Sequence, residues 1–181
     1  MLTLVIGGAR SGKTRFAQSL CPPGARVACV ATARVEDDEM RARVERHRGD
    51  RPPDWKTIEE PLAPADAVLR ASPDADYILV DCLTVWLSNL CWERRDRPAA
   101  EIEDAALAEI DTLAAASAQR QVILISNEVG SGIVPEHPVG RLFRDLQGLV
   151  NQRAAAAANR VFLTVAGIPL PIKPARSEEM G

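Results

Sequence analysis

The chain has 181 residues, of which 46% are hydrophobic and 26% charged, and its formal net charge is -3. This length suits one domain with a buried core, and the composition is ordinary for a globular protein. Such a small net charge gives no global argument for binding nucleic acid or an anionic membrane, so any anion site must be local.

Strands and helices alternate along the first half of the chain. "MLTLVI" (residues 1–6) predicts a buried strand, and "KTRFAQSL", after a glycine-rich loop, predicts a helix. Residues 26–33 predict a second strand. "EDDEMRARVERHR" predicts a helix, because its acids come first and its bases last. "RPPDWKTIEEP" breaks that helix and has room for a short extended piece, and "ADAVLRA" predicts a brief helix.

The same alternation continues in the second half. Residues 76–81 ("DYILVD") predict a third strand, followed by helices over "LTVWLSNLCWER" and "AAEIEDAALAEIDTLAAASA". Residues 121–126 predict a fourth strand, "VGRLFRDLQGLVNQRAAAAAN" a long amphipathic helix and "RVFLTVAG" a fifth strand. "IPLPIKPARSEEMG" has no periodicity, so we expect it to be loose. The pattern predicts an α/β fold with a mostly parallel central sheet and helices on both faces.

Cysteine usage and hydropathy restrict the location of the protein. The cysteines form no C-x-x-C pair, which favours reduced, buried thiols over a zinc site or disulfides. They are Cys21, Cys29, Cys82 and Cys91. No apolar run approaches the length of a membrane span, and the chain begins with a strand and its loop rather than a signal peptide. We therefore expect a cytoplasmic protein.

The loop "GGARSGKT" matches the phosphate-loop pattern G-x-x-x-x-G-K-[ST]. Its residues are Gly7, Gly8, Ala9, Arg10, Ser11, Gly12, Lys13 and Thr14. The glycines let backbone N–H groups turn towards phosphate oxygens, and the following helix adds its positive end. Lys13 reaches the β- and γ-phosphates, and the Thr14 hydroxyl ligates Mg²⁺. The strand before and the helix after favour a P-loop NTPase fold over a simple glycine turn.

A carboxylate, Asp81, stands at the end of the third predicted strand. In a phosphate-loop protein this is the natural position for a second Mg²⁺ anchor. The alternative is a helix cap or a turn, since Asp favours both.

One of the two histidines, His47, lies in the arginine-rich stretch "RARVERHRGDRPPDW". On a helix it shares a face with Arg43 and Val44. A neutral imidazole is a good nucleophile towards phosphorus, and neighbouring guanidiniums would hold the triphosphate and favour the unprotonated ring. On the residues alone, however, a solvated basic helix end is the better interpretation.

Several sequence blocks, taken together and in order, change the interpretation of His47 as a solvated surface residue. They are "GGARSGKTRFA", "DDEMRARVERHRGDRPPDWKTIEEP", "VDCLTVWLSNL", "SNEVGSGIVPEHPVGRLFRDLQGLVNQRAA" and "VAGIPLPIK". The chain, over about residues 1–173, resembles the bifunctional adenosylcobinamide kinase / adenosylcobinamide-phosphate guanylyltransferase family of cobalamin biosynthesis. The R-x-x-x-H-R-x-x-R-P-x-x-W-x-T-x-E and N-E-V-G-x-G-I-V-P blocks are far more specific than a phosphate loop. Residues 95–101 and those after 173 match no family block.

The resemblance implies both an activity and a set of site residues. ATP or GTP would phosphorylate adenosylcobinamide, and GMP from GTP would then pass through a covalent adduct on His47 to the product, giving adenosylcobinamide-GDP. Further contacts with nucleotide or metal are implied for Thr32, Ala33, Arg34, Arg48, Gly49, Asp50, Arg51, Glu59 and Asp81. Family members carry Glu or Asp at this last position. The resemblance also implies a trimer. From the phosphate-loop motif we expect Mg²⁺ as cofactor, and from the absence of a linker one catalytic domain over residues 1–173, with 174–181 a loose tail.

Some residues and functions stay open at this point. Asn127 and Glu128 follow the fourth strand, where open parallel sheets bind ligands, but a structural turn fits them equally well. His137 has the context of a loop residue, and Trp86 and Trp92 that of core or subunit contacts; Trp55 is unassigned. The rival functions are a small-molecule kinase without guanylyl transfer and a nucleotide switch. The sequence lacks the guanine-reading motif N-K-x-D, which argues against a nucleotide switch.

Overall fold

The computed structural model describes residues 1–34, 38, 41, 49 and 51–173. Its strands are β1 (Leu2–Gly7), β2 (Val27–Ala31), β3 (Lys56–Glu59), β4 (Tyr77–Asp81), β5 (Gln121–Asn127), β6 (Arg160–Val165) and β7 (Ile168–Lys173). Its helices are α1 (Lys13–Ser19), α2 (Pro64–Ala71), α3 (Leu83–Glu93), α4 (Ala99–Ala116) and α5 (Pro138–Ala157). One 3-10 turn, Ser117–Gln119, follows α4. The helix predicted over "EDDEMRARVERHR" falls almost wholly outside the described residues, and the tail 174–181 falls entirely outside them.

The strands form one seven-stranded sheet in the order β3-β2-β4-β5-β1-β6-β7. All neighbouring strands from β3 to β6 run parallel, and only β7 is antiparallel to its neighbour. The predicted mostly parallel sheet is confirmed, and the short extended piece is β3. Since parallel strands end at the same edge, the segments that follow β1 to β5 gather at the carboxyl edge of the sheet.

Both faces of the central strands are apolar, because alternate side chains point to opposite faces. On β1, Leu4 packs with residues of α2 to α5, whereas Val5 packs with α1 on the other face. The neighbouring strands repeat this division, with Ile78 on the first face and Leu79 on the second. Each such fully buried side chain contributes about 1.5–3 kcal/mol to folding. Helices therefore cover both faces, as the sequence predicts.

The prediction of a loose chain after residue 167 is wrong for Ile168–Lys173, which form β7 against β6. The turn between the two strands holds Ala166 and Gly167 at φ 50 and 82, and such positive angles suit the tightest hairpins. Pro169 and Pro171 stand two residues apart, so both ring nitrogens face the same side of the strand. On an edge strand that side can be the outer one, which needs no N–H donor.

The cysteine thiols are free. Burial raises the pKa of Cys29 to about 12 and that of Cys21 to about 11, so both stay protonated at neutral pH. Within residues 1–34 and 51–173, together with the three single described positions, no cluster of His, Cys, Asp or Glu could hold a metal ion by itself. None of the described helices is both long and apolar enough to cross a membrane.

Candidate active site

The phosphate loop begins where β1 ends at Gly7 and finishes where α1 begins at Lys13. Its path needs two left-handed residues, Arg10 at φ 55 and Gly12 at φ 90. The Ser11 N–H donates to the carbonyl of Gly8 across 3.3 Å, which closes the turn. The loop therefore has the tightly wound backbone that can direct N–H groups towards phosphate oxygens.

The loop packs closely against β6 and the β6–β7 turn. A Cβ on Gly7 would lie 2.6 Å from the backbone oxygen of Thr164 and 2.6 Å from Ser11 Oγ, so only glycine fits without displacement. The Gly167 N–H donates to the Ser11 carbonyl at 2.8 Å, and a Cβ on Gly12 would lie 3.0 Å from Gly167 Cα. The hairpin that the sequence analysis missed thus supports the phosphate loop.

Lys13 and Thr14 open the first turn of α1. Lys13 Nζ donates to the carbonyl of Gly8 at 3.1 Å, so the side chain folds back over the loop. Thr14 is half-buried. Burial raises the pKa of the Cys82 thiol and Asp81 raises it further, while the positive charge of Lys13 acts in the opposite direction. The ammonium group therefore lies within electrostatic reach of the end of β4.

Asp81 ends β4, at the same edge of the sheet as the loop. Its Oδ2 lies 3.3 Å from Nη2 of Arg51, and the two side chains are only 14% and 7% exposed. The residue that precedes α3 and occupies its N-cap is Cys82, so the helix-cap alternative for Asp81 is not realised. Among the described residues, Arg51 Nε is buried without a partner. The Arg51 guanidinium and the Asp81 carboxylate can therefore bind a polar ligand.

Thr32 fastens the end of β2 to the end of β4. Its hydroxyl accepts from the Cys82 N–H at 2.9 Å and donates to the Cys82 carbonyl at 2.8 Å. Its own N–H donates to the Asp81 carbonyl at 3.1 Å. Asn89 Nδ2 in turn donates to the carbonyls of Thr32 and Pro61. These bonds fix the backbone beside Asp81.

The remaining predicted residues that the structure describes lie near these groups. Ala33 and Arg34 continue from Thr32 and are half-buried, and Arg34 pairs with Glu93 at 3.3 Å. Glu59 is exposed at the end of β3, where it aligns with Ala31 of β2. The carboxyl edge therefore brings together the loop, Thr32–Arg34, Arg51, Glu59 and Asp81. Gly49 is exposed, whereas His47, Arg48 and Asp50 lie outside the described residues.

Asn127 and Glu128 also lie at this edge. Asn127 aligns with Gly7 in the sheet, and the Glu128 N–H donates to the Gly7 carbonyl at 3.1 Å. The Glu128 carboxylate accepts from the N–H groups of Gly130 and Ser131. Burial alone would raise the pKa of Glu128, but hydrogen bonds from the Ser131 side chain and from these two N–H groups, together with the positive charge of Arg144, outweigh it and lower the pKa. Asn127 and Glu128 therefore lie directly beside the phosphate loop.

Sequence reasoning missed the polar contacts behind Asn127. Gln147 and Asn151 stand four apart on α5, and Gln147 Nε2 donates to both Asn151 Oδ1 and the buried hydroxyl of Ser126. The available signal was a pair of amides at i and i+4 among the buried positions of an otherwise amphipathic helix. Trp86 lies in the core and His137 is exposed just before α5, as predicted. Trp92 is 62% exposed, so it is not a core residue, and its role as a subunit contact stays a prediction.

The side chains of Thr14 and Asp81 have the chemistry to bind a magnesium ion together with the phosphates of a nucleotide. A hydroxyl and a carboxylate are hard oxygen donors, and Mg²⁺ is commonly bound through one or two carboxylates together with substrate phosphates. The Arg51 contact engages Oδ2 of the Asp81 carboxylate. Together, the loop, the parallel sheet and the carboxylate at its edge define a phosphate-loop nucleotide-binding protein.

Comparison with known proteins gives the family. The model of the CobU family, described as cobinamide kinase / cobinamide phosphate guanyltransferase, matches residues 3–172. The chain belongs to this family. The bifunctional adenosylcobalamin biosynthesis proteins CobU of Escherichia coli (strain K12) and Salmonella typhimurium (strain LT2) are each 43% identical to it, across 96% of this chain and 100% of theirs. CobP of Pseudomonas aeruginosa (strain PAO1) is also 43% identical, across 96% of this chain and 98% of its own. The resemblance and the enzyme class inferred from the sequence are confirmed.

Proposed function

We propose that this enzyme phosphorylates adenosylcobinamide with ATP or GTP and then transfers GMP from GTP to the adenosylcobinamide phosphate. The observation that carries the proposal is the convergence of the phosphate loop, Asp81 and Arg51 at one edge of the sheet. Arg51 belongs to the same sequence block as His47, four residues further on. The family match over residues 3–172 supports both activities.

In the first reaction the γ-phosphoryl group moves to the aminopropanol hydroxyl of the corrinoid. The loop amides hold the nucleotide phosphates, and Lys13 leaves its contact with Gly8 to neutralise charge on the β- and γ-phosphates. Thr14 and Asp81 would hold the Mg²⁺ ion. When bound, that ion would act as a Lewis acid and offset negative charge on the phosphates. Catalysis here is mainly positioning, since the protein forms no bond with the transferred group.

In the second reaction an imidazole nitrogen of His47 attacks the α-phosphorus of GTP and expels pyrophosphate. A phosphate oxygen of the corrinoid then attacks the same phosphorus, which breaks the P–N bond, releases His47 and yields adenosylcobinamide-GDP. Arg48 and Arg51 are assigned to the phosphates, and Glu59 and Thr32–Arg34 to further nucleotide contacts. One pocket can then serve two acceptors in turn.

Labelling with GTP tests this assignment. Native enzyme incubated with α-labelled GTP and Mg²⁺ should form an acid-labile GMP adduct that maps to His47. His47→Asn should abolish the adduct and guanylyl transfer yet leave substantial kinase activity, whereas Lys13→Ala should damage both activities. Transfer of GMP by His47→Asn at the native rate would refute the nucleophile. A native enzyme that phosphorylates the corrinoid but never forms an adduct would be the kinase-only rival.

We also propose that residues 1–173 form one catalytic domain and that the enzyme is a cytoplasmic trimer. Ile168 and Leu170 lie on one face of β7, and Ile172 follows at an irregularity in the pairing with β6. The three side chains are 62, 48 and 57% exposed, in that order. An apolar face on an edge strand favours burial against another chain. Light scattering during size exclusion should give three times the chain mass, and a monomer across the micromolar range would contradict the trimer.

A further inference from the structure

The end of β5 lies between the two groups assigned to the nucleotide. Asn127, the last residue of β5, aligns with Gly7 at the start of the phosphate loop. On the other side of β5, Ile125 aligns with Asp81. Asn127 therefore ends the strand that separates the loop from the carboxylate. If the loop holds the β-phosphate and Asp81 the metal ion, a bound triphosphate would place its terminal phosphate in the space between them.

The backbone of Asn127 is fixed by side chains from two helices. Its N–H donates to Thr84 Oγ1 at 2.8 Å, at the start of α3. Its carbonyl accepts from Asn151 Nδ2 of α5 at 3.0 Å. Asn151 is itself held, because its Oδ1 accepts from the Ser126 hydroxyl at 2.6 Å and from Gln147 Nε2 at 3.1 Å. The position of the residue thus depends on its backbone contacts.

The side-chain carboxamide of Asn127 takes no part in these backbone contacts. Within the described part of the chain, its Oδ1 is buried without a hydrogen-bond partner, although the residue as a whole is only half-buried. A buried acceptor without a partner costs about 1–3 kcal/mol, so it calls for an explanation. A phosphate oxygen cannot satisfy this acceptor, because it is an acceptor itself. The terminal torsion of Asn is broad and two-fold, however, so a half-turn places the amide N–H where Oδ1 lies and gives that position a donor for an anionic ligand.

We propose that Asn127 is a phosphate-contacting residue of the active site, whose carboxamide N–H donates to the terminal phosphate of the bound triphosphate. The inference rests on the proposed function, since it places a nucleotide in the loop. A neutral amide can donate without adding charge to a site that already holds Lys13 and Arg51. The polar contacts of Ser126, Gln147 and Asn151 then serve to keep Asn127 in place.

The test compares two nucleotides that differ only in the terminal phosphate. The α,β-methylene analogues of GTP and GDP resist attack at the α-phosphorus, so titration calorimetry with Mg²⁺ reports binding alone. Asn127→Ala should weaken binding of the triphosphate analogue about 10- to 100-fold and leave the diphosphate analogue within about twofold. Asn127→Asp, which has nearly the same shape, should weaken it further, because a carboxylate repels phosphate.

Asn159→Ala is the matched control. Asn159 Oδ1 accepts from the Leu2 N–H at 2.8 Å at the opposite edge of the sheet, so its loss should leave the ratio of the two affinities unchanged. The proposal is overturned if Asn127→Ala weakens both analogues equally or neither. It is also overturned if Asn127→Asp is milder than Asn127→Ala, or if thermal unfolding shows that neither variant folds, since either outcome assigns the carboxamide to structure. A native enzyme without either activity would instead contradict the proposed function.

Discussion

Replacing Gly7 by alanine tests how tightly the phosphate loop is packed. The new Cβ would lie 2.6 Å from the backbone oxygen of Thr164 and 2.6 Å from Ser11 Oγ, well inside contact distance. Strand β6 can yield only by shifting its pairing with β1. The Ser11 hydroxyl can turn away, but the Ser11 Cβ would still lie 3.2 Å from the new methyl group. Overpacking of this kind costs about 1–3 kcal/mol. For a chain of this length, that lowers Tm by about 2–12 °C.

Thermal unfolding followed by circular dichroism measures the effect, with Gly8→Ala as control. A Cβ on Gly8 meets no atom within 4 Å, so this variant should unfold within about 1–2 °C of the native enzyme. Gly7→Ala should also bind the triphosphate analogue more weakly, because Ser11 is displaced. Equal Tm values for the two variants would show that β1 and β6 yield freely, and the steric reasoning would then be wrong.

Two further predictions concern stability. Ala166 has a φ of 50, a conformation that suits Asn in an Asn-Gly hairpin turn, so Ala166→Asn should raise Tm by about 1–3 °C and Ala166→Val should lower it; shifts in the same direction would contradict this. Burial raises the pKa of Glu109, with Asp66 and Glu60 adding to the effect against a hydrogen bond from the Ala65 N–H. A raised folded-state pKa gives stability that is present at low pH and lost as the pH rises through it, so Glu109→Gln should gain stability over the native enzyme between pH 4 and 7 in urea unfolding. A gain that shrinks over this range would reverse the sign of the argument.

Much of the fold could be predicted because both faces of the parallel sheet are buried. The runs that became β1, β4 and β5 are continuously apolar, and the turn and cap residues around them mark their ends. The candidate site followed from the same pattern, since the phosphate loop directly follows β1 and Asp81 ends β4. Local sequence carries this information, because each strand and loop is specified by residues close together in the chain.

The missed features depend on distant parts of the chain. Pro169 and Pro171 argue against a strand until its neighbour is known, because only an edge position leaves their nitrogens without a required donor. Likewise, Asn127 and Glu128 could not be separated from a turn by spacing alone. Their environment depends on Thr84 of α3 and Asn151 of α5, which lie 43 and 24 residues away.

The contact between Gly167 and Ser11 has a consequence for biosynthesis. The phosphate loop is translated well before its supports, since β6 and the hairpin amide that brace it follow more than 140 residues later in the chain. Until then β1 also lacks one of its two sheet neighbours. Nucleotide capture should therefore begin only after β6 and the β6–β7 hairpin have been synthesised.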